Sequence, residues 1–186
     1  MEKLLSYFLA KGVSSNDIRQ IIDAFTFKKM AKGDLFAEEG KTSKYLAFIT
    51  NGLFQYFYLK DGKEITTYIT GENSFLASVV SFYTQKACKE FIRALTDAEL
   101  LMLHYSDLLK LKASNEGFRT FYIEALENLV VGMDKTRNNF ITLTAEERYA
   151  VLMEEEPALL QQVPLQYLAS LLGITPRHLS RIRNNF

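Results

Sequence analysis

Few side chains in this sequence are placed to do covalent chemistry. Gly40-Lys41-Thr42 has the ending of a phosphate-binding loop. That loop also needs a glycine five residues before Gly40, where Leu35 stands, and a following helix, where the aromatic and β-branched residues 45–49 predict a strand. Cys88 is the only cysteine, and neither histidine, His104 nor His178, is near it in sequence to act as a base. The two histidines fall in different parts of the chain, so the clustered imidazole and carboxylate ligands of a β-roll metal enzyme are not foreseen. His104, at a predicted strand end, reads as structural. Glu154, Glu155 and Glu156 precede a proline and read as a solvated helix end rather than an acid–base pair. What remains is charge. The final stretch, GITPRHLSRIRNNF, carries Arg177, His178, Arg181 and Arg183 and no carboxylate, in a chain of formal net charge +0.

That tail suits a polyanion. Arginine binds phosphate, or the O6/N7 edge of guanine through two parallel hydrogen bonds, and serine, threonine and asparagine hold phosphate oxygens. Everything after Pro157 lacks aspartate and glutamate, whereas the charged residues over 144–156 are mostly acidic, five glutamates against one arginine, so the charges are segregated although the total is balanced.

Two short helices must position these groups. In LQYLASLLGITPRHLSRI, Leu168, Leu171 and Leu172 give the first helix an inward face, and Ala169 is small where a second helix crosses. Gly173 supplies the turn, Ile174 fills the corner, and Leu179 and Ile182 anchor the second helix, with Pro176 at its start. This is the spacing of a helix-turn-helix. It leaves Thr175, Pro176, Arg177, His178, Ser180, Arg181, Asn184 and Asn185 for the outer surface.

Upstream, SSNDIRQIIDAF predicts a helix capped by Ser14 or Ser15. From Lys28 to about His104 the aromatic and β-branched runs YLAFI, GLFQYFYL, EITTYI and ELLMLHY predict strands, with a hairpin turn at Asp61-Gly62. Short strands broken by glycines suggest an antiparallel barrel or roll. SDLLKLK predicts a short helix, and a long helix follows over about 116–140. The long helix carries two apolar columns, Phe118/Tyr122/Ala125/Leu129 and Ile123/Leu126/Val130/Met133, wide enough to pack on the roll and on a second copy of itself. Gly132, mid-helix, suits close approach of another backbone. TAEERYAVLMEEE predicts a helix opened by a Thr144/Glu147 capping box and stopped by Pro157, and Pro164 precedes the next helix. PALLQQVPLQ shows no β-rich wing ahead of the helix pair.

At 186 residues, 48% of them hydrophobic and 24% charged, the chain has the composition of an ordinary globular protein with room for a real core. No apolar run approaches the roughly 20 residues needed to span a bilayer, and the start lacks the small-residue cleavage site of a secretory leader. One cysteine suits a reducing compartment, so a cytoplasmic location and no membrane partner are expected.

These segments together resemble the Crp/Fnr transcription regulators over nearly the whole chain. Residues 32–77, with Gly33, Gly40, Gly52 and Gly71 at turns, look like that family's cyclic-nucleotide-binding β-roll. The long helix is similar to its dimerisation helix, and GITPRHLSRIR to its recognition helix. The resemblance implies an α+β fold: a jelly-roll sensor domain over 1–112, a dimerisation helix over 113–141, and a helix-turn-helix domain over 142–186. It implies a homodimer on pseudo-palindromic double-stranded DNA, contacts from Thr175, Pro176, Arg177 and Arg181, RNA polymerase as a further partner, and no enzymatic activity. An effector pocket would lie near Ser78, Val79, Cys88, Lys89 and Met133. There the sequence departs from the cyclic-nucleotide sensors, which have Gly-Glu where Ala77-Ser78 stands and Arg with a small hydroxyl residue near Cys88-Lys89. The ribose-binding carboxylate and the phosphate-binding guanidinium are both missing, and the Lys89 ammonium cannot supply a planar fork. Cyclic AMP is therefore not expected; another small molecule, or none, takes the pocket. A single cysteine excludes the family's iron–sulfur cluster, and no cofactor is foreseen. The alternative reading is a small-molecule-binding β-roll signalling module that never touches DNA.

Overall fold

The structure is a computed structural model and describes residues 1–185. The chain opens with α1 (Glu2–Ala10) and α2 (Ser15–Asp23), followed by β1 (Phe25–Met30), β2 (Leu35–Ala37), β3 (Tyr45–Asn51), β4 (Phe54–Lys60), β5 (Lys63–Thr70) and β6 (Phe75–Leu76). Next come α3 (Val79–Thr84), β7 (Phe91–Ala94), β8 (Ala98–His104), α4 (Tyr105–Ser114) and α5 (Glu116–Thr142). It closes with α6 (Ala145–Glu155), α7 (Pro157–Gln162), α8 (Leu165–Leu171) and α9 (Pro176–Arg183).

The strands form two four-stranded sheets, ordered β1-β8-β3-β6 and β2-β7-β4-β5, which face each other as a jelly roll. β8 pairs antiparallel with β1 from Phe25↔Leu103 to Met30↔Ala98 and, on its other edge, with β3. Side chains alternate across a strand, and here both faces of the first sheet are covered. Ala47, Ile49, Leu100 and Met102 enter the core shared with Phe54, Tyr56, Ile92 and Ala94 of the second sheet. Phe48, Leu101 and Leu103 point the other way, into a cluster with Leu4, Phe8, Ile18, Ile21, Phe118 and Phe121. Burial on both faces explains why residues 100–103 are an unbroken apolar run. The second cluster is rich in aromatic rings; Phe8 meets Phe121 edge-to-face at 4.8 Å between ring centroids.

Local chemistry sets the element ends. Ser14 caps α2, its hydroxyl accepting from the Asp17 N–H at 3.2 Å. Asp61 and Gly62 both have positive φ, 52° and 73°, as the tight turn between β4 and β5 requires. His104 caps α4, its Nδ1 accepting from the Ser106 N–H at 3.2 Å. Asn115, 2% exposed, caps α5 by accepting from the Phe118 N–H at 2.7 Å and donates back to the Asp17 carbonyl and the Gln20 side chain. The capping box at Thr144 and Glu147 is present.

Several elements go beyond the sequence reading, among them the short strands β2, β6 and β7 and the helix α3. Residues 2–10 are helical, with Leu4 and Phe8 one turn apart on the buried side. Phe25 belongs to β1 rather than to the end of the preceding helix, because pairing with Leu103 fixes it as extended. Pro157 ends α6 but also starts α7, where a missing N–H costs nothing, so residues 157–162 are helical.

The chain divides into two compact units, Met1–Tyr56 with Thr70–Glu127, and Phe57–Ile69 with the chain from Asn128 onward. In the second unit Tyr149, Val163, Leu168, Ala169, Leu172, Leu179 and Ile182 are buried. The Thr66 N–H donates to the Ser170 hydroxyl at 2.9 Å, tying β5 to α8. Among the described residues no helix is long and apolar enough to cross a membrane.

Candidate nucleic-acid interface

The turn between α8 and α9 is a Schellman motif. The Ile174 N–H reaches the Ala169 carbonyl at 2.9 Å and the Gly173 N–H the Ser170 carbonyl at 3.0 Å. Gly173 has φ +71°, and a Cβ there would stand 3.3 Å from the Phe140 ring. Thr175 then caps α9, its hydroxyl accepting from the His178 N–H at 3.2 Å, and Pro176 occupies the first turn. Leu179 and Ile182 anchor the inner side of α9 against buried Leu168, Ala169 and Leu172. The outer side presents Thr175, Pro176, Arg177, Ser180, Arg181, Asn184 and Asn185, all exposed. Arg177, Arg181 and Asn184 recur at four- and three-residue spacing and share one helix face.

The basic groups of this segment do not all face outward. His178 is half-buried and its Nε2 lies 3.3 Å from the Glu146 carboxylate at the start of α6. Arg183 is half-buried and donates to the Leu160 carbonyl at 3.1 Å, so its charge caps the end of α7. Neither Arg177 nor Arg181 has a hydrogen bond or ion pair among the described residues. Ser180 donates to the Pro176 carbonyl at 3.0 Å, which leaves its oxygen able to accept. Of the residues expected on the outer surface, Arg177 and Arg181 are thus free cations among the described residues, Thr175 and Pro176 shape the helix start, Ser180 is exposed but engaged, and His178 is a partner of Glu146.

The acidic helix α6 is engaged elsewhere. Glu146 is held below the usual carboxylate range, first by its own backbone N–H and then by His178. Glu147 is lowered by the Thr144 N–H and hydroxyl. Glu155 pairs with Lys135.

The expected effector residues are scattered by comparison. Ser78 is buried, and its hydroxyl donates at 2.9 Å to Glu90, a residue the sequence reading passed over. Val79 is half-buried at the start of α3. Cys88 packs in the core between the sheets, its backbone exchanging hydrogen bonds with Gly40 and Lys41. Lys89, next to it, is exposed. Met133 lies in the second unit and is exposed. Arg93, on β7, is half-buried and donates to the fully buried Gln55 at 2.7 Å. Tyr83 of α3 and Tyr122 of α5 hydrogen-bond each other, and burial raises both phenols above their ordinary value. This joins the helix after Ser78 to the long helix, a link between residues too far apart in sequence to be read from spacing.

Beyond Tyr122 no residue of α5 is fully buried in a single chain, and only Ala125 and Leu126 pack partly against the core of the first unit. Ile123, Val130 and Met133 are 51%, 65% and 60% exposed. Gly132 has open space around it, so any close approach there must come from outside the chain.

Residues 27–115 match the family model of the cyclic nucleotide-binding domain. No curated protein sequence matches the chain. Among solved structures, FixK2 from Bradyrhizobium japonicum is 17% identical, with 87% of this chain and 83% of that one covered and a TM-score of 0.70. A transcriptional regulator assigned to the Crp/Fnr family from Eubacterium rectale is 16% identical, covering 97% and 87% with a TM-score of 0.69. The c-di-GMP-responsive global regulator CLP of Xanthomonas campestris is 16% identical, covering 92% and 91% with a TM-score of 0.66.

Proposed function

We propose that this chain, which carries a cyclic nucleotide-binding domain and has the fold of the Crp/Fnr transcription regulators, is a homodimeric, sequence-specific DNA-binding regulator that does not respond to cyclic AMP. The observation that carries the DNA reading is the outer face of α9. Two guanidinium groups without a partner among the described residues, Arg177 and Arg181, stand on a helix whose other side is locked to α8 by buried leucine and isoleucine. This is a helix-turn-helix presenting its second helix to a major groove.

The second copy is suggested by α5. Ile123, Leu126, Val130, Met133, Arg137 and Phe140 follow alternating spacings of three and four, the a and d positions of a heptad. β-Branched residues at a with Leu and Met at d favour a parallel two-stranded coil. Two-fold symmetry then places two α9 helices on half-sites about 10 base pairs apart, centre to centre.

The effector side rests on Ser78 and Glu90. Where a cyclic nucleotide would need a carboxylate for its ribose and a cation for its phosphate, the buried Ser78 hydroxyl is already satisfied by an acidic side chain. A cyclic phosphate entering there would meet the Glu90 charge, and neither Cys88 nor Lys89 supplies a guanidinium to offset it. The neighbouring regulator CLP is c-di-GMP-responsive, so this fold serves effectors other than cyclic AMP.

Selection of duplexes from a random pool tests the proposal. Enrichment of a pseudo-palindrome, with affinity falling steeply as salt rises, is the expected result. Recovery of no enriched sequence would leave the β-roll as a ligand-binding module without DNA. Calorimetric titration with cyclic AMP is expected to give no binding heat, and saturable binding would refute the effector reading.

A further inference from the structure

The side chain of Arg148, on the first turns of α6, joins three parts of the second unit. One guanidinium nitrogen donates to the Leu143 carbonyl at 2.6 Å, just past the end of α5. The other donates to the Leu172 carbonyl at 2.9 Å, at the C-cap of α8. Its planar group lies over the Phe140 ring, 4.7 Å from the centroid. That same ring is the nearest neighbour of the space a Cβ on Gly173 would fill, at 3.3 Å. One cation therefore sits between the carbonyl ends of two helices, where helix dipoles favour positive charge, and against the ring that backs the turn into α9.

Nε of Arg148 is buried and has no hydrogen-bond partner. A lone buried donor is unfavourable, and a lysine would not carry one. Lysine, however, lacks the planar fork that reaches two carbonyls while stacking on a ring. The side chain present thus favours geometry over a fully satisfied interior.

We infer that Arg148 is a positioning residue: it fixes the direction in which α9 leaves the end of α5, and so sets the separation and angle of the two reading helices in the dimer. This rests on the DNA-binding reading above. The consequence is specific. A protein lacking the Arg148 fork keeps the α9 surface that touches one half-site but loses the fixed relation between two of them.

Two measurements test this. Spin labels at Thr136→Cys and Asn184→Cys report the α5-to-α9 distance, both positions being exposed and Cys88, 4% exposed, being spared by the label. Labelled subunits are diluted with unlabelled protein so that one pair is read. The parent is expected to give a narrow distribution, Arg148→Met a broad one and Arg148→Lys an intermediate one. An unchanged width in Arg148→Met overturns the inference, and this arm needs no DNA.

In the second measurement, duplexes carrying the selected half-sites at spacings varied one base pair at a time are bound by parent and variants. The parent is expected to prefer one spacing by roughly tenfold over its neighbours. Arg148→Met should reduce that preference to about twofold while binding a single half-site within about twofold of the parent. Retention of the full spacing preference overturns the inference. A parent that binds no duplex sinks the DNA reading instead, and the distance measurement still decides Arg148. Should Arg148→Met lose its helical signal, Phe140→Leu, which removes the stacked ring but keeps an aliphatic side chain at the dimer seam, is expected to show the same broadening, and a narrow distribution there counts against the joint.

Discussion

Replacing Arg181 with alanine is expected to weaken duplex binding without weakening the fold, and replacing Arg183 is expected to do the reverse. The two arginines stand two positions apart on α9. Arg181 is exposed and makes no ion pair or hydrogen bond among the described residues, so its loss removes nothing from the folded chain. On DNA a well-placed arginine contributes about 1–3 kcal/mol. A symmetric dimer loses it twice, about 2–6 kcal/mol, which is a drop in affinity of at least roughly thirtyfold. If the contact is to phosphate, the slope of log affinity against log salt becomes shallower by about 2; if it is to a base edge, the slope holds and discrimination at one position per half-site relaxes. Arg183 instead satisfies the Leu160 carbonyl at 3.1 Å. A charged hydrogen bond of this kind is worth about 1.5–3 kcal/mol when buried, and partial exposure brings that to about 1 kcal/mol, or about 2–4 °C in melting temperature. Fluorescence anisotropy over a salt series and thermal unfolding, run on both variants, separate the two roles. An Arg181→Ala protein that binds the selected duplex within twofold of the parent would refute the assignment of the outer face. So would an Arg183→Ala protein that keeps its melting temperature and loses the duplex.

Gly52 has φ +106°, and a Cβ there would lie 2.6 Å from the Ala98 Cβ and 2.9 Å from its backbone; Gly52→Ala is therefore expected to destabilise the roll by about 3 kcal/mol, read by urea unfolding, and a change below about 1 kcal/mol would contradict it. The Glu147 carboxyl lies below its ordinary value because the Thr144 N–H and hydroxyl bind its charged form. A depressed folded-state value means that this stabilisation is complete above the unfolded-state value, about 4.3, and is lost as pH falls through the folded one. Glu147→Gln should thus melt below the parent at pH 7 and converge with it in acid; a gap that widens in acid would refute the sign. Val130 is 65% exposed on α5, so Val130→Asp should leave the subunit folded and split the dimer by placing like charges across the two-fold axis, as sedimentation would show; an intact dimer would exclude this seam.

Much of the fold was legible because its signals are local. The Asp61-Gly62 turn, the Thr144 capping box and the Gly173-Ile174-Thr175-Pro176 corner each follow from residue types at fixed offsets, and each is present. What escaped depends on partners distant in chain order. The α1 segment is too short to form a stable helix alone, and it is held through Leu4 and Phe8 by a core that includes Phe48 and Phe121. β1 is extended because β8, far along the chain, pairs with it residue for residue. Glu90 satisfies Ser78, and Tyr122 satisfies Tyr83, at separations no periodicity encodes.

The candidate interface shows the same division more sharply. Counting charges gave four basic or potentially basic groups on the final stretch, but a charge in the sequence is not yet a charge at the surface. His178 and Arg183 are drawn to Glu146 and to the Leu160 carbonyl, while Arg177 and Arg181 remain outside. The inward pair holds α9 to α6 and α7, and the outward pair rides on the rigidity this provides. A solvated basic helix with no binding role would have no use for that arrangement, since four free cations would be solvated as well as two. Fixing half of them inside makes sense where the other half must arrive at a set place. The same logic singles out Arg148, whose charge is spent wholly on carbonyls and a ring, and which on the proposed reading serves binding only by deciding where Arg177 and Arg181 stand.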